Sequence, residues 1–274
     1  MNEDCEELAA QAAASFRAEQ GLGLAPIADL ITLIELARGV DVAVLEANGD
    51  DEHGVSMTDP ASGITMIAVA ALENPMRWRS TLAHELGHLV FEDHLAQLNG
   101  EPAVGVEDRA RAFARHLLLP LDATKRLAPK AHEVDQATLS TIMQTYLVSP
   151  PIAAIQLRDA GCIDWHLSQQ WQQLDVPEIA TRFGWTDQYL ALQGESMRRR
   201  APQKLLQRAT RGYIDGVLSI EALAGIRGIP VEQMAAELEQ AGIVPVDYGR
   251  ETTAPIPFEQ GGGPVDLSWL DDLG

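Results

Sequence analysis

The sequence is short of positive charge, of cysteine and of long apolar runs. Lysine and arginine number 20 against 40 aspartates and glutamates, a formal charge of −20 in 274 residues. That balance argues against a chain that hugs nucleic acid or anionic lipid, since both reward basic faces. It favours encounter with a basic partner, and it also serves plain solubility. Cys5 and Cys162 are too few and too far apart for a disulfide framework or a thiolate metal site. No stretch approaches the ~18 apolar residues of a membrane span. The opening residues, Met-Asn-Glu-Asp-Cys-Glu-Glu, are acidic where a signal peptide is basic. The expectation is a cytoplasmic protein with no membrane segment. No convincing internal repeat is present, and the length allows one or two domains with a sizeable core.

What the chain does carry is His84-Glu85-Leu86-Gly87-His88, an H-E-x-x-H motif. Histidines four residues apart on a helix lie ~40° apart around its axis, so both imidazoles can reach one metal ion. Glu85 projects beside them, where it can take a proton from water. Asn74-Pro75 supplies a helix start, Asn as N-cap and Pro in the first turn. Leu82, Leu86 and Leu89 fall opposite the histidines and give that helix a face to bury.

A hydrolytic zinc site needs a third protein ligand and one open position. The segment Glu107 to Pro120 offers one. With helical spacing Glu107, Ala110, Arg111, Ala114 and Leu118 share a face. The two alanines let a second helix approach closely enough to deliver Glu107. A competing reading has Glu107 only favouring a helix N-terminus electrostatically. Asp93 and His94 are rival ligands nearer the motif, just past the end of its helix. His116 lies half a turn of the wheel from Glu107 and is not counted; His53 reads as a structural histidine of the sheet. Tyr146, His94 and Arg111 are the candidates to stabilise an oxyanion.

The run Thr81-Leu-Ala-His-Glu-Leu-Gly-His-Leu-Val-Phe91, followed by Glu107-x-x-Ala110-x-x-Phe113-Ala114-x-x-Leu117-Leu118-x-Pro120, resembles the ImmA/IrrE family of metallopeptidases, over about residues 5 to 160. The resemblance implies a gluzincin-like protein with His84, His88 and Glu107 as Zn²⁺ ligands and Glu85 as catalytic base. It also implies an intracellular protease that cleaves a helix-turn-helix repressor in phage, mobile-element or stress regulation. Arg111, where family members often carry Asn or Asp, and Leu119, where Met is common, depart from the pattern. Neither removes a ligand.

In chain order, residues 3–20 read as an alanine-rich helix and Pro26 to Arg38 as a second, stopped at Gly39. Strands are expected at Val40 to Leu45, Gly54 to Thr58 and Ile64 to Val69, with turns at Asn48 to Asp51 and Asp59 to Gly63. The expected class is α+β: a zincin-like domain with a small antiparallel sheet, followed by an all-helical C-terminal region. Its boundaries are 1–125 for the metallopeptidase domain, 126–173 for a helical extension, 174–246 for a helical bundle and 247–274 for a disordered acidic tail.

Within the extension, Asp135 caps a helix through Tyr146, and Val148-Ser149-Pro150-Pro151 leads to another that Gly161 stops, a spacing that mimics a helix-turn-helix. The second helix offers only Gln156 and Arg158 to a base or phosphate, with Asp159 opposing, so packing or protein docking is the preferred role. Residues 164–174 read as a connector. Arg198 to Arg200 with Lys204 and Arg208 form the one basic cluster. Three function classes compete. They are a zinc endopeptidase acting on a basic repressor, a zinc-holding sensor or binding module that hardly cuts, and a DNA-binding regulator using the helical region.

Overall fold

The structure, a computed structural model, describes residues 3–46, 54–59, 63–93, 105–128 and 134–246. The expected turn at Asn48 to Asp51, His53, His94 and the acidic tail lie outside them. Helices α1 (Glu3–Glu19) and α2 (Leu30–Arg38) precede strands β1 (Asp41–Leu45), β2 (Gly54–Thr58) and β3 (Thr65–Ala70). The motif helix α3 (Pro75–Val90) follows, then α4 (Val106–Leu118) and nine more helices among the described residues. The class is α+β, and no helix of the described residues is long and apolar enough to cross a membrane.

Helix α2 starts four residues later than Pro26 suggests. Asp29, in extended conformation, accepts a hydrogen bond from the Thr32 amide at 2.9 Å and is the true N-cap. The backbone before it stays irregular because side chains satisfy its carbonyls. Arg17 binds those of Gly23 and Ala25, Tyr146 that of Leu24, and Arg79 those of Ile27 and Ala28.

The sheet has order β1-β3-β2 and is mixed, not wholly antiparallel as the strand run suggested. β2 pairs antiparallel with β3, while β1 lies parallel on the other side of β3. Of the expected turn between β2 and β3, residues 60–62 lie outside the described residues, and the Gly63 amide donates to Asp59 O at 2.8 Å. The apolar residues decide this order. Val42, Val44, Ile67 and Val69 are buried, so β1 and the central strand β3 carry the core-facing side chains, whereas Val55 and Met57 of the other outer strand, β2, are exposed. Beyond β1, Val44 exchanges both backbone hydrogen bonds with Arg200. The outer edge of β2 has no strand partner among the described residues.

Helix α4 is the hub. Phe113 meets Phe16 of α1 edge-on at 6.4 Å and Phe91 at 5.9 Å. Against α3 the contact is at Gly87, where an added Cβ would stand 3.1 Å from Phe113 Cδ1 and 3.3 Å from Ala110 Cα. Gly87→Leu is therefore expected to force α3 and α4 apart at a cost of roughly 1–3 kcal/mol. Chemical denaturation checks the stability. An unchanged midpoint would show that the two helices do not depend on that contact.

Glu6 of α1 accepts hydrogen bonds from Arg115 and from His116 Nε2, the latter at 2.8 Å, so α1 is pinned to α4 by charge as well as by Phe16. The His116 hydrogen bond, reinforced by Arg115 and opposed by partial burial, holds the Glu6 carboxyl at about 2, down from 4.5. A depressed carboxyl stabilises the fold above its unfolded value, and the contribution is lost as pH falls through the folded one. Glu6→Gln is thus expected to melt earlier than wild type at neutral pH by about 1–3 kcal/mol. The difference should shrink between pH 4.5 and about 2. A pH-independent difference would mean that the charge plays no part.

The later helices are α5 (Leu121–Leu127), α6 (Gln136–Tyr146), α7 (Pro150–Asp159), α8 (Trp165–Trp171), α9 (Val176–Arg182) and α10 (Thr186–Ser196). Residues 164–174 are not a connector. Asp164 caps α8, and Trp171 and Ser168 are buried. The main core runs from Ala9 to Tyr189. Helices α11 (Gln203–Ile214), α12 (Ile220–Arg227) and α13 (Val231–Gln240) close around a second one of Ala209, Leu223, Ala224, Met234 and Leu238. In the helix-turn-helix-like pair α6 and α7, Gln156 is fully buried and Arg158 is bonded to Asp159 at 2.6 Å and 2.8 Å. Neither side chain is free to read a base.

Candidate metal centre

Asn74 caps α3 by accepting from the Met76 and Arg77 amides, and Pro75 sits in its first turn. The buried residues Met76, Leu82, Ala83 and Leu86 fix the helix's rotation. That rotation leaves His84 and His88 side by side towards α4, with their Nε2 atoms 3.0 Å apart. Glu107, in the first turn of α4, brings its carboxylate to 3.3 Å from His84 Nε2 and 3.4 Å from His88 Nε2. Among the described residues these three form a group able to share one metal ion. A tetrahedral ion with bonds of ~2.0–2.1 Å spaces its ligand atoms ~3.3–3.4 Å apart. The two imidazole nitrogens, 3.0 Å apart, approach that spacing, and each faces a different carboxylate oxygen of Glu107, at 3.3 and 3.4 Å, so the carboxylate is within reach of an ion held between the rings.

The protonation states fit too. Burial, with the neighbouring His88 adding to it, lowers His84 to about 4, so its ring is neutral and has a lone pair at pH 7. His88 Nδ1 lies 2.9 Å from Asp93 Oδ2. An Nδ1–H donating to that carboxylate leaves the lone pair on Nε2, facing the centre. Asp93 is reached because Glu92 adopts a left-handed φ of 56° directly after the helix and turns the chain back. Arg109 ion-pairs with Asp93 and stacks 4.2 Å over the Phe91 ring. Asp93, a rival ligand on sequence, is placed here behind His88. Asp93→Ala is expected to lower metal affinity ~10–100-fold, read by chelator competition. Undiminished affinity would remove Asp93 from this role.

Glu85 is 6% exposed and hydrogen-bonded to Ser56 of β2. Burial raises its pKa, while the fields of His88 and Ser56 oppose the rise. Gly54 lets β2 come this close, since a Cβ there would stand 2.6 Å from Thr81 and 3.1 Å from Glu85 Oε1. The centre opens into a cleft of about 640 Å³. Gly54 to Ser56 form one wall, and Ala114, Ile152 and Ile155 of α4 and α7 form the other. Glu107 is 59% exposed at its mouth, so one side of the centre stays open.

Of the three oxyanion candidates, Arg111 lines this cleft and lies 3.5 Å from Glu107. Tyr146 is buried with its hydroxyl donating to Leu24 O at 2.7 Å, so it is committed elsewhere. His94 lies outside the described residues. His116 is turned to Glu6. Ser56 and Arg109 escaped the sequence reading. Nothing local marks Ser56, because its partner is on a helix 29 positions later; Arg109 is legible only once Asp93 is known to turn back.

Residues 37–158 match the model of the IrrE N-terminal-like domain, Peptidase_M78. No curated protein matches the chain. The matched segment spans β1 to α7, and so contains the H-E-x-x-H helix, Glu107 and both walls of the cleft. Over residues 37–158, somewhat under half of its length, the chain is thus similar to the IrrE N-terminal-like domain of a metallopeptidase family.

Proposed function

We propose that this protein is an intracellular zinc endopeptidase that cleaves a basic helix-turn-helix repressor. The observation that carries the reading is the convergence of His84, His88 and Glu107 on one point, with buried Glu85 beside them in an open cleft. Two neutral imidazoles and a carboxylate are a common donor set of hydrolytic zinc. Bound there, the ion would supply Lewis-acid polarisation and activate a water. Glu85 accepts the proton of the attacking water and returns it to the leaving amine. A pKa raised by burial suits both halves of that task. Arg111 is the cation in the wall that can face charge developing on the carbonyl oxygen.

An extended peptide can lie along the outer edge of β2 and take backbone hydrogen bonds there. The formal charge of −20 supports a basic substrate. The experiment compares new protein N-termini in cells expressing wild type or Glu85→Gln. Neo-termini dependent on Glu85 and clustered in one DNA-binding protein are the expected result. Identical termini, with the metal bound in both, would instead favour a zinc-holding binding module.

A further inference from the structure

A second cavity, of about 1100 Å³, lies between the metal-helix body and helices α11–α13. Ile31, Val44, Met197, Leu206 and Ile229 give it apolar walls. Its charged lining runs against the composition of the chain. Five arginines (79, 198, 199, 200 and 227) face three acids, Asp29, Glu195 and Glu237. Three of the five are paired within the protein: Arg200 with Glu35 at 2.7 Å, Arg227 with Glu237 at 2.8 Å and Arg199 with Glu46 at 3.1 Å. Two are left.

Arg79 is only 4% exposed, and its guanidinium donates to two backbone carbonyls, of Ile27 and Ala28. No described carboxylate is within ion-pair distance of it, although Asp29 and Glu195 contribute a weaker field. Its Nε is buried without a partner, and so is Nε1 of the adjacent Trp78, which also lines the cavity. Arg198, exposed at the rim, makes no ion pair among the described residues. A buried guanidinium bonded to neutral carbonyls, with only the more distant Asp29 and Glu195 to offset its charge, is stabilised by a further anion brought close to it.

We infer that this cavity binds a small organic anion, an apolar body carrying one carboxylate or phosphate group. The acid group lies between Arg198 and the Trp78–Arg79 floor, and the apolar body lies against Ile31, Met197 and Leu206. The volume lies just above the usual range of small-molecule sites, ~300–1,000 Å³, so a small occupant fills part of the cavity. This site is separate from the metal cleft, and the inference holds whether or not the chain cuts peptides. Arg79 stands on the same helix as His84 and His88, so an occupant touches the element that positions the metal centre.

The test is a fluorescence titration of the full chain with 1-anilinonaphthalene-8-sulfonate, an apolar body bearing one anionic group. One saturable site is expected, weakened ~tenfold or more by Arg198→Glu and abolished by Leu206→Trp, which fills the apolar wall. N-phenyl-1-naphthylamine, the same body without the sulfonate, is expected to bind ~tenfold more weakly or worse. Octanoate and phenyl phosphate should displace the probe, and the better competitor identifies the acid group. Absence of saturable binding, equal binding by Arg198→Glu and wild type, or failure of both competitors would overturn the inference.

Discussion

Glu85→Gln is expected to keep metal and lose turnover. The amide is close in shape, so Ser56 and the wall around Gly54 still pack against it, but it cannot accept a proton. General-base catalysis is worth ~10²–10⁴-fold, and kcat should fall by that much with little change in KM. The wild-type pH profile carries a second signature. Glu85 works as the carboxylate, and burial raises its pKa above 4.5. Activity at saturating metal should therefore decline as pH falls and Glu85 takes up a proton, at a value set by the burial that raises its pKa against the bound ion's charge that lowers it. A buried carboxyl with a raised pKa also destabilises the fold increasingly as pH rises. Metal-free Glu85→Gln should accordingly be at least as stable as metal-free wild type at pH 7. Wild-type turnover by the variant would sink the assignment of Glu85 as base.

Glu107→Ala and His88→Ala are expected to lose the metal itself. Each removes one of three converging ligand atoms, so affinity should fall beyond the ~10–100-fold expected for a change behind a ligand. The two variants differ in a useful way. His88 is held from behind by Asp93, whereas Glu107 is 59% exposed and steadied by Arg111. Loss of His88 leaves Asp93 and Arg109 paired to each other. Loss of Glu107 leaves Arg111 facing two histidines, which further disfavours a cation. Chelator competition and metal content after gel filtration measure both. Full metal content in Glu107→Ala would show that the third ligand lies elsewhere.

Much of the site was legible because it is local. His84, Glu85 and His88 share a helix turn, and that turn's orientation follows from Asn74-Pro75 and the leucine stripe. Glu107 was legible through spacing, since Ala110 and Ala114 announce a close helix contact. Pro26 reads as the start of α2, but the carbonyls of Gly23, Leu24, Ala25, Ile27 and Ala28 are claimed by Arg17, Tyr146 and Arg79 from distant elements, and the helix starts only after Asp29. Tyr146 illustrates the same limit. A hydroxyl's partner depends on which loop crosses above it, and periodicity carries no such information.

The sequence by itself determined the helix that carries His84, Glu85 and His88, the second helix that brings Glu107 to them, and the strongly acidic charge balance. These follow from periods of 3.6 residues, from caps and from charge, all of which act within a few residues or over the whole molecule. Only the tertiary structure decided that the sheet is mixed, that Ser56 reaches Glu85, that Asp93 stands behind His88, and that an unpaired Arg79 floors a second cavity. Each of those depends on two segments meeting across the fold. Burial and close approach select such pairs, and only after the local elements have formed.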